Sequence, residues 1–329
     1  MRLNETPFSR ALKIQYPILC GAMYPCSNPE LVAAASRGGG IGIVQPLSLL
    51  YAHGYEMRAG IHKIQELSGG KPFGFNVLTE QSSKIYMDRM RKWVDIACEE
   101  GCRFFVTALG NPKWIVDKVK PLGGIVYHDV TDRKWALKAK EAGVDGLICV
   151  NNRAGGHAGT QSPQELFDQL KDLGLPLICA GGVGSEQDAV QAIRMGYAGV
   201  QLGTRFIATE ECSAHLDYKQ AILRAEAKDI VLTEKLTGVP VAIIRTPTVD
   251  RIGTKAGPVA KFLLKHPKLK HWMRLYYSLN SFRTLKKASK QGLGYKDYWQ
   301  AGKSVDGIHS IESAEVIMKR FGQALASVP

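Results

Sequence analysis

Eight short apolar runs alternate with amphipathic segments over the first two thirds of the chain, and this alternation constrains the fold more than any other feature. The runs are rich in Ile, Val, Leu and Phe and lack polar alternation, which is typical of strands buried on both faces. They lie at residues 17–22, 41–45, 73–77, 103–107, 124–128, 145–150, 176–180 and 198–202. The intervening segments predict helices at 29–38, 54–68, 84–100, 112–119, 132–142, 163–173, 186–195 and 213–227.

Signals at the helix ends support this division of the chain. Asn28 and Ser162 are predicted N-caps that precede a proline, and Ser185 is a third predicted N-cap. Gly143 and Gly196 follow the ends of two predicted helices, where glycine is common. Eight strand–helix repeats favour an α/β fold, a closed (β/α)8 TIM barrel, although a doubly wound open sheet alternates in the same way.

The alternation stops near residue 228. Residues 228–253 predict extended or irregular structure, residues 256–292 predict basic helices, and residues 311–326 predict a final helix. We therefore expect a barrel domain over residues 1–227 and a helical C-terminal appendage over residues 228–329 that packs on the barrel.

Positive charge is concentrated in the predicted appendage. The chain has a formal net charge of +13, and residues 255–297 contain eleven Lys or Arg and one acidic residue. Such a segment could attract an acidic carrier protein, a nucleic acid or an anionic membrane, or it could be a solvated helical face. Apolar residues interleave with the basic ones, which favours helices packed on the body of the protein.

Cysteine usage and apolar run length bear on location. The chain has seven cysteines, an odd number, and most lie inside apolar segments, which favours reduced thiols in a cytoplasmic protein. No run of 18 or more apolar residues predicts a transmembrane helix, and the N-terminus lacks the apolar region of a signal peptide. No Cys or His spacing predicts a metal site. We expect a monomer or a homodimer.

Glycine and polar residues gather where the predicted strands end. In a (β/α)8 barrel the active site lies at the C-terminal ends of the strands. The predicted site residues that follow strands 1, 3, 5, 6, 7 and 8 are Gly21, Ala22, Met23, Asn76, His128, Ala154, Gly155, Gly156, His157, Ala180, Gly181, Gly182, Gln201, Gly203 and Thr204.

The loops after strands 7 and 8 predict a phosphate site. Gly181 and Gly182 follow strand 7, and Gly203 and Thr204 follow strand 8. Barrels often bind a cofactor phosphate with backbone N–H groups of these two loops, which glycine leaves uncovered. Either pair alone could simply form a tight turn, but the two together favour phosphate binding.

His157 is the strongest candidate for acid–base chemistry. It lies in the glycine-rich loop RAGGHAGT after strand 6, which allows the imidazole to project from the rim. The alternative is a histidine that only bonds a neighbouring loop. His128 could face a cofactor or merely satisfy the end of strand 5, and Asp129 could stabilise a cation or orient His128.

Five motifs in this order resemble the nitronate monooxygenase family, formerly called 2-nitropropane dioxygenases. They are PILCGAM, FGFNV, AGGHAGT, ICAGGV and VQLGTRFIATEE, spread over about residues 8–225, with a weaker similarity in AGKSVDGI. FMN-dependent enoyl-acyl-carrier-protein reductases and some NADH:quinone reductases share the architecture. The resemblance implies FMN near Met23 and Asn76, its phosphate on the glycine turns, and His157 above the flavin facing the substrate.

The sequence departs from the family pattern in two places. Many relatives have a lysine or another residue where this chain has His128 and Asp129, and many reductases have an acid where it has Arg153. A carboxylate near the flavin would alter its electrostatics, and Arg153 favours an anionic substrate or a nucleotide phosphate.

Three hypotheses of function follow. The first is oxidation of an alkyl nitronate with O2 as co-substrate, and the second is an NAD(P)H-dependent reductase of an enoyl thioester or a quinone on the same fold. The second would suit a basic region that meets an acidic carrier protein. The third is a flavin-holding binding protein whose basic tail docks on nucleic acid or membrane. We do not expect this third function, and so we expect neither of these partners. A barrel of this kind could also bind a sugar phosphate or nucleotide without flavin.

Overall fold

The computed structural model describes residues 3–79, 84–236, 238–255, 283–290 and 298–328. Its centre is a closed barrel of eight parallel strands in chain order, closed by pairing of the first strand with the eighth. The predicted (β/α)8 fold and all eight predicted strands are confirmed. The strands are β1 (Ile18–Cys20), β2 (Ile41–Val44), β3 (Phe73–Thr79), β4 (Phe104–Gly110), β5 (Ile125–Val130), β6 (Gly146–Val150), β7 (Leu177–Ala180) and β8 (Gly199–Leu202).

Helices surround the barrel at the predicted positions. They are α2 (Pro29–Arg37), α3 (Met57–Ser68), α4 (Lys84–Glu99), α5 (Lys113–Val119), α6 (Arg133–Glu141), α7 (Pro163–Leu170), α8 (Glu186–Arg194) and, after β8, α9 (Thr204–Ile207) and α10 (Leu216–Arg224). Ser162 and Ser185 both form reciprocal capping boxes, as their sequence context predicts. Asn28 occupies the predicted N-cap position of α2 but makes no side-chain capping bond, because its Oδ1 accepts from the N–H of Ser213 at 3.2 Å instead.

A helix that the periodicity did not predict closes the bottom of the barrel. It is α1 (Pro7–Leu12), which begins with a capping box formed by Thr6 and Ser9. Phe8 is fully buried, and its ring lies 5.7 Å from that of Phe104 and 5.4 Å from that of Tyr127. The lower barrel is therefore a packed core, and the end at which barrel active sites lie is the opposite one.

Side chains of each strand alternate between the lumen and the layer under the helices. On β5, Ile125 and Tyr127 belong to the apolar cluster inside the barrel, whereas Val126 and Val130 pack in the outer cluster with the helices. This alternation places residue 129 inward and residue 128 outward at the rim end of β5.

The C-terminal region packs on the barrel where it is described. Strands β9 (Ile230–Thr233) and β10 (Val241–Ile244) form an antiparallel hairpin, and helix α11 (Pro247–Ile252) follows it. The expectation of extended or irregular structure over 228–253 is thus wrong at α11, where Thr246 caps a short helix. Residues 283–290 are helical, and the remainder of the predicted basic helices lies outside the described residues.

The final predicted helix is confirmed as Ala314–Ala326. It packs against α2 and α8, with Met318 against Gly38 and Gly40. All seven cysteines are free and buried. Within the described residues, we find no helix whose length and apolar character would allow it to cross a bilayer.

Candidate active site

The two predicted phosphate turns lie side by side at the rim. Ala180, the last residue of β7, pairs in register with Gln201 of β8, so the turns that follow belong to adjacent strands. Gly181 and Gly182 have φ values of +119° and +80°, conformations that other residues adopt with strain. These positive φ values explain why both positions are glycine.

Asn151 joins the loop after β6 to the turn after β7. Its side chain is fully buried, and its Nδ2 donates to the carbonyl of Gly181 at 3.0 Å. Its Oδ1 accepts from the backbone N–H of Arg153 at 2.8 Å. A Cβ atom on Gly181 would lie 2.5 Å from this Oδ1, so the two loops meet without room for a side chain.

A segment from the far C-terminal region completes the rim. The N–H of Gly302 donates to Oγ1 of Thr204 at 2.9 Å, and the N–H of Lys303 donates to the carbonyl of Arg153 at 2.9 Å. A Cβ atom on Gly155 would lie 2.8 Å from the nitrogen of Gly302. The weak motif AGKSVDGI therefore packs against the loops after β6 and β8.

Arg153 lies over the turn after β7. A Cβ atom on Gly182 would lie 2.5 Å from Nε of Arg153. Neither Arg153 nor Lys303 has a carboxylate within ion-pair distance in the described part of the chain. The cationic side chain of Arg153, without an acidic partner among the described residues, therefore borders the predicted phosphate site, and Lys303 lies next to it in the fold.

Three polar side chains belong to the inward positions of the upper barrel: Asn76 on β3, Asp129 on β5 and Gln201 on β8. Asn76 is buried, and the aliphatic part of Gln201 lies against Gly21, whose added Cβ would be 3.1 Å from its Cγ. None of the three makes a side-chain hydrogen bond to another described residue. Besides the buried Asn76, Asp129 has a buried Oδ1 and Gln201 is half-buried. Polar groups in such positions normally have partners, so these three indicate a polar ligand in the barrel mouth.

Asp129 carries the carboxyl group of this set, and its pKa is strongly raised. Its Oδ1 is buried without a hydrogen-bond partner, and burial raises the pKa of its carboxyl group to about 7. Burial disfavours the charged form when no cation compensates it. The carboxyl group is therefore partly protonated at neutral pH. The sequence analysis noted Asp129 beside His128 at the end of strand 5 but did not include it among the predicted site residues, although strand alternation could have done so once the lumen side of β5 was known.

His128 does not join the other predicted site residues. It lies on the outward face of β5, where its Nδ1 is 2.8 Å from Oγ1 of Thr107 on β4. Burial lowers the pKa of His128 to about 4, so its imidazole is neutral. The ring borders a groove with Trp135 and Lys138 of α6, outside the barrel. The expectation that His128 contacts a cofactor in the lumen is not supported by this orientation.

His157 projects from a loop that the C-terminal hairpin holds in place. Gly156 and Ala242 of β10 form an antiparallel bridge, in which the N–H of Ala242 donates to the carbonyl of Gly156 at 2.7 Å. The His157 side chain is exposed, and the surrounding rim still desolvates the imidazole enough to lower its pKa from 6.5. The imidazole is therefore mostly neutral at pH 7 and suits a base or a hydrogen-bonding group better than a fixed cation.

Met23 occupies the loop after β1, beside the turn after β8. Its N–H donates to Oγ of Ser27 at 2.9 Å, and its carbonyl accepts from Oγ of Ser48 at 3.2 Å. Its Sδ is the nearest atom to a Cβ added on Gly203, at 3.5 Å. Nearby, Ala22 and Ala180 pack in the apolar cluster inside the barrel, Gly21 lies against Gln201, and Ala154 lies against Gly181.

The arrangement thus has two parts with different chemistry. One side of the rim has glycine turns, Thr204 and the Arg153 guanidinium, which suit a phosphate group. The lumen beside it has amide groups and a carboxyl group without partners, and His157 lies above on the rim. We find no group of three or more metal-ligating residues in the described part of the chain.

Comparison with known proteins gives one family and several relatives. The model of the nitronate monooxygenase family matches residues 5–320. A protein of Rhodococcus jostii named (3aS,4S,5R,7aS)-5-hydroxy-7a-methyl-1-oxo-octahydro-1H-indene-4-carboxyl-CoA dehydrogenase is 27% identical over 79% of this chain and 72% of its own length. A probable nitronate monooxygenase of Staphylococcus saprophyticus is 26% identical over 77% of this chain and 81% of its own.

Two solved structures have the same fold over almost the whole chain. FabK from Thermotoga maritima superimposes with a TM-score of 0.78 at 25% identity, covering 98% of this chain and 96% of its own. A nitroalkane oxidase from Streptomyces ansochromogenes superimposes with a TM-score of 0.76 at 20% identity, covering 96% of this chain and 98% of its own. The family match extends beyond residue 225 and includes AGKSVDGI, which agrees with the packing of that segment on the rim.

Proposed function

The chain belongs to the nitronate monooxygenase family and is an oxidoreductase of that type, and from this membership we propose that it holds FMN in the barrel mouth. The observation that carries the proposal is the ring of inward polar side chains without partners, next to paired glycine turns. Asn76, Asp129 and Gln201 offer one carboxyl and two amide groups to a planar polar ligand. Bound flavin would supply two-electron redox chemistry there.

The phosphate end of FMN fits the turns after β7 and β8. A Cβ atom on Gly203 would meet only the Met23 side chain, with Sδ at 3.5 Å and Cγ at 3.9 Å, so the space above this backbone is open. Gly181 and Gly182 cannot carry side chains, and Arg153 places positive charge beside Gly182. A dianionic phosphate is stabilised by backbone N–H groups and by such a cation.

The leading reaction is oxidation of an alkyl nitronate with O2. The substrate is a small anion, and Arg153 supplies a cation at the rim that the neutral His157 does not. The neutral His157 would donate a hydrogen bond from its one ring N–H to an oxygen of the nitronate at the mouth. The relatives named nitronate monooxygenase and nitroalkane oxidase support this choice.

The second candidate is reduction of an enoyl thioester or a quinone with hydride from NADH or NADPH, or the reverse reaction, oxidation of a saturated acyl thioester with its electrons passed to an acceptor. The relative named carboxyl-CoA dehydrogenase supports it. The Asp129 carboxyl group supports it as well, because reactions next to a thioester carbonyl exchange a proton as well as a hydride, whereas a nitronate is already deprotonated.

Anaerobic stopped-flow mixing separates the two candidates. The FMN-loaded protein is mixed in turn with a nitronate, a saturated and an unsaturated CoA thioester, a quinone, NADH and NADPH. Bleaching by the nitronate alone supports the leading reaction. Bleaching by NADH, NADPH or the saturated thioester, with none by the nitronate, supports the second candidate and overturns the first.

A further inference from the structure

The resemblance to the family assigns no role to the carboxyl group of Asp129, but its position in the structure suggests a contact with the cofactor. We propose that Asp129 is a direct contact of the cofactor in the barrel mouth, where its protonated carboxyl group donates a hydrogen bond. The inference rests on the proposed function, because it takes the ligand of the mouth to be FMN.

The position of Asp129 follows from the register of the barrel. It pairs with Ile148 of β6, which belongs to the apolar cluster inside the barrel. The preceding inward residue of β5 is Tyr127, and the next residue of the strand, Val130, returns to the outer layer. Asp129 is therefore the last inward side chain of β5 and lies at the boundary between the packed core and the mouth.

Its surroundings leave the carboxyl group unsatisfied. Oδ1 is buried and has no hydrogen-bond partner among the described residues. An unsatisfied buried acceptor costs about 1–3 kcal/mol, a cost that a bound ligand would remove. Packing does not explain the residue either, since an apolar side chain would fill the inward position without this cost.

The neighbouring titratable groups leave Asp129 without a counter-charge. Cys149 on β6 is an outward thiol whose pKa burial raises, so it is neutral. His128 on β5 faces the opposite side and is neutral because burial lowers its pKa to about 4. Arg153 and His157 belong to the rim loop after β6. Burial is the only cause that raises the pKa of Asp129 to about 7.

A donor that must be protonated makes cofactor affinity depend on pH. If protonated Asp129 binds FMN and the anion does not, the dissociation constant of FMN is nearly constant below pH 6. It then rises by up to about tenfold per pH unit above pH 7, the limit for one linked proton. The phosphate of FMN also titrates near pH 6, so the comparison must be made with variants that bind the same ligand.

Two substitutions separate donation from titration. Asp129→Asn keeps a donor that does not titrate, and Asp129→Leu removes the donor. Dissociation constants are measured at pH 6, 7 and 8 from the quenching of FMN fluorescence on the full chain. We expect the rise in the dissociation constant above pH 7 to be much smaller in Asp129→Asn than in the native protein, with an affinity within about threefold of the native value at pH 6. Asp129→Leu should bind about tenfold or more weakly at pH 6, the loss of one hydrogen bond of about 1.5 kcal/mol.

His157→Gln is the matched control, because it removes the other titratable side chain of the mouth and should keep the native pH profile. The inference is wrong if Asp129→Asn retains the pH dependence of the native protein, or if Asp129→Leu binds FMN as tightly as the native chain. Failure of the native chain to bind FMN at any pH is a different result, which overturns the proposed function itself.

Discussion

The space above Gly203 allows the phosphate site to be tested without disturbing the fold. Gly203 has a φ of −111°, outside the left-handed region, and an added Cβ would meet only the Met23 side chain, with Sδ at 3.5 Å and Cγ at 3.9 Å. Gly203→Ala should therefore leave the free energy of unfolding unchanged or raise it by about 0.4–1 kcal/mol, because alanine restricts the unfolded chain.

The same methyl group projects into the space that we assign to the FMN phosphate. It would displace a phosphate oxygen from the backbone N–H groups, and a hydrogen bond to a charged group is worth about 1.5–3 kcal/mol. The expected loss of FMN affinity is therefore about 10- to 100-fold. Isothermal titration calorimetry gives the affinity, and urea denaturation of the flavin-free protein gives the stability.

Gly174→Ala is the matched control for this pair of measurements. Gly174 has a φ of +70° with nothing within 4 Å of an added Cβ, and it follows α7 away from the rim. This variant should lose about 1–2 kcal/mol of stability and bind FMN normally. Gly203→Ala that binds FMN as tightly as the native chain would refute the assignment of the turn after β8 to the phosphate.

Three further predictions concern side chains of the rim and β5. His157→Ala should retain FMN, with an unchanged flavin spectrum, and lose at least about 100-fold in turnover, the low end of what a general acid or base contributes. Steady-state kinetics with the substrate identified by stopped flow measures the loss, and unchanged turnover would contradict the prediction. Arg153→Gln should weaken binding of FMN but not of riboflavin, so equal effects on the two would remove Arg153 from the phosphate site. His128 is neutral in the fold down to about pH 4, whereas the unfolded chain takes up its proton near pH 6.5, so the stability it permits is present above pH 6.5 and falls as the pH drops. From pH 7 to pH 5, the free energy of unfolding of the native chain should fall by about 2 kcal/mol more than that of His128→Leu, which should retain turnover. Identical pH profiles of the two proteins in urea denaturation would contradict this.

The strands and helices could be predicted because each is defined by a local pattern. Short apolar runs and amphipathic segments repeat eight times, and residues such as Ser162 and Ser185 form the caps that their neighbours predict. Helix α1 was missed because its six residues are too few to establish a helical period.

The faces of the barrel strands could not be read from the sequence. Strands buried on both sides lack polar alternation, so nothing local distinguishes the lumen from the layer under the helices. For this reason His128 was preferred to Asp129, and only the pairing of β5 with its neighbours assigns the inward position to Asp129.

Long-range packing explains what else the sequence left open. The contact of Gly302 with Thr204 joins residues 98 positions apart, and the bridge from Gly156 to Ala242 links the loop of His157 to the hairpin. No periodicity predicts such contacts. The motif AGKSVDGI was noticed only as a weak similarity, and its place on the rim comes from the fold.

The central claim is that the mouth of the barrel is a flavin site formed by the turns after β7 and β8 and by Asn76, Asp129 and Gln201. The most direct measurement is the visible absorption spectrum of the purified chain after incubation with FMN and removal of free ligand, with the released cofactor identified by mass. The account predicts one FMN per chain and the absorption bands of an oxidised flavin. A colourless protein that retains no FMN would contradict it.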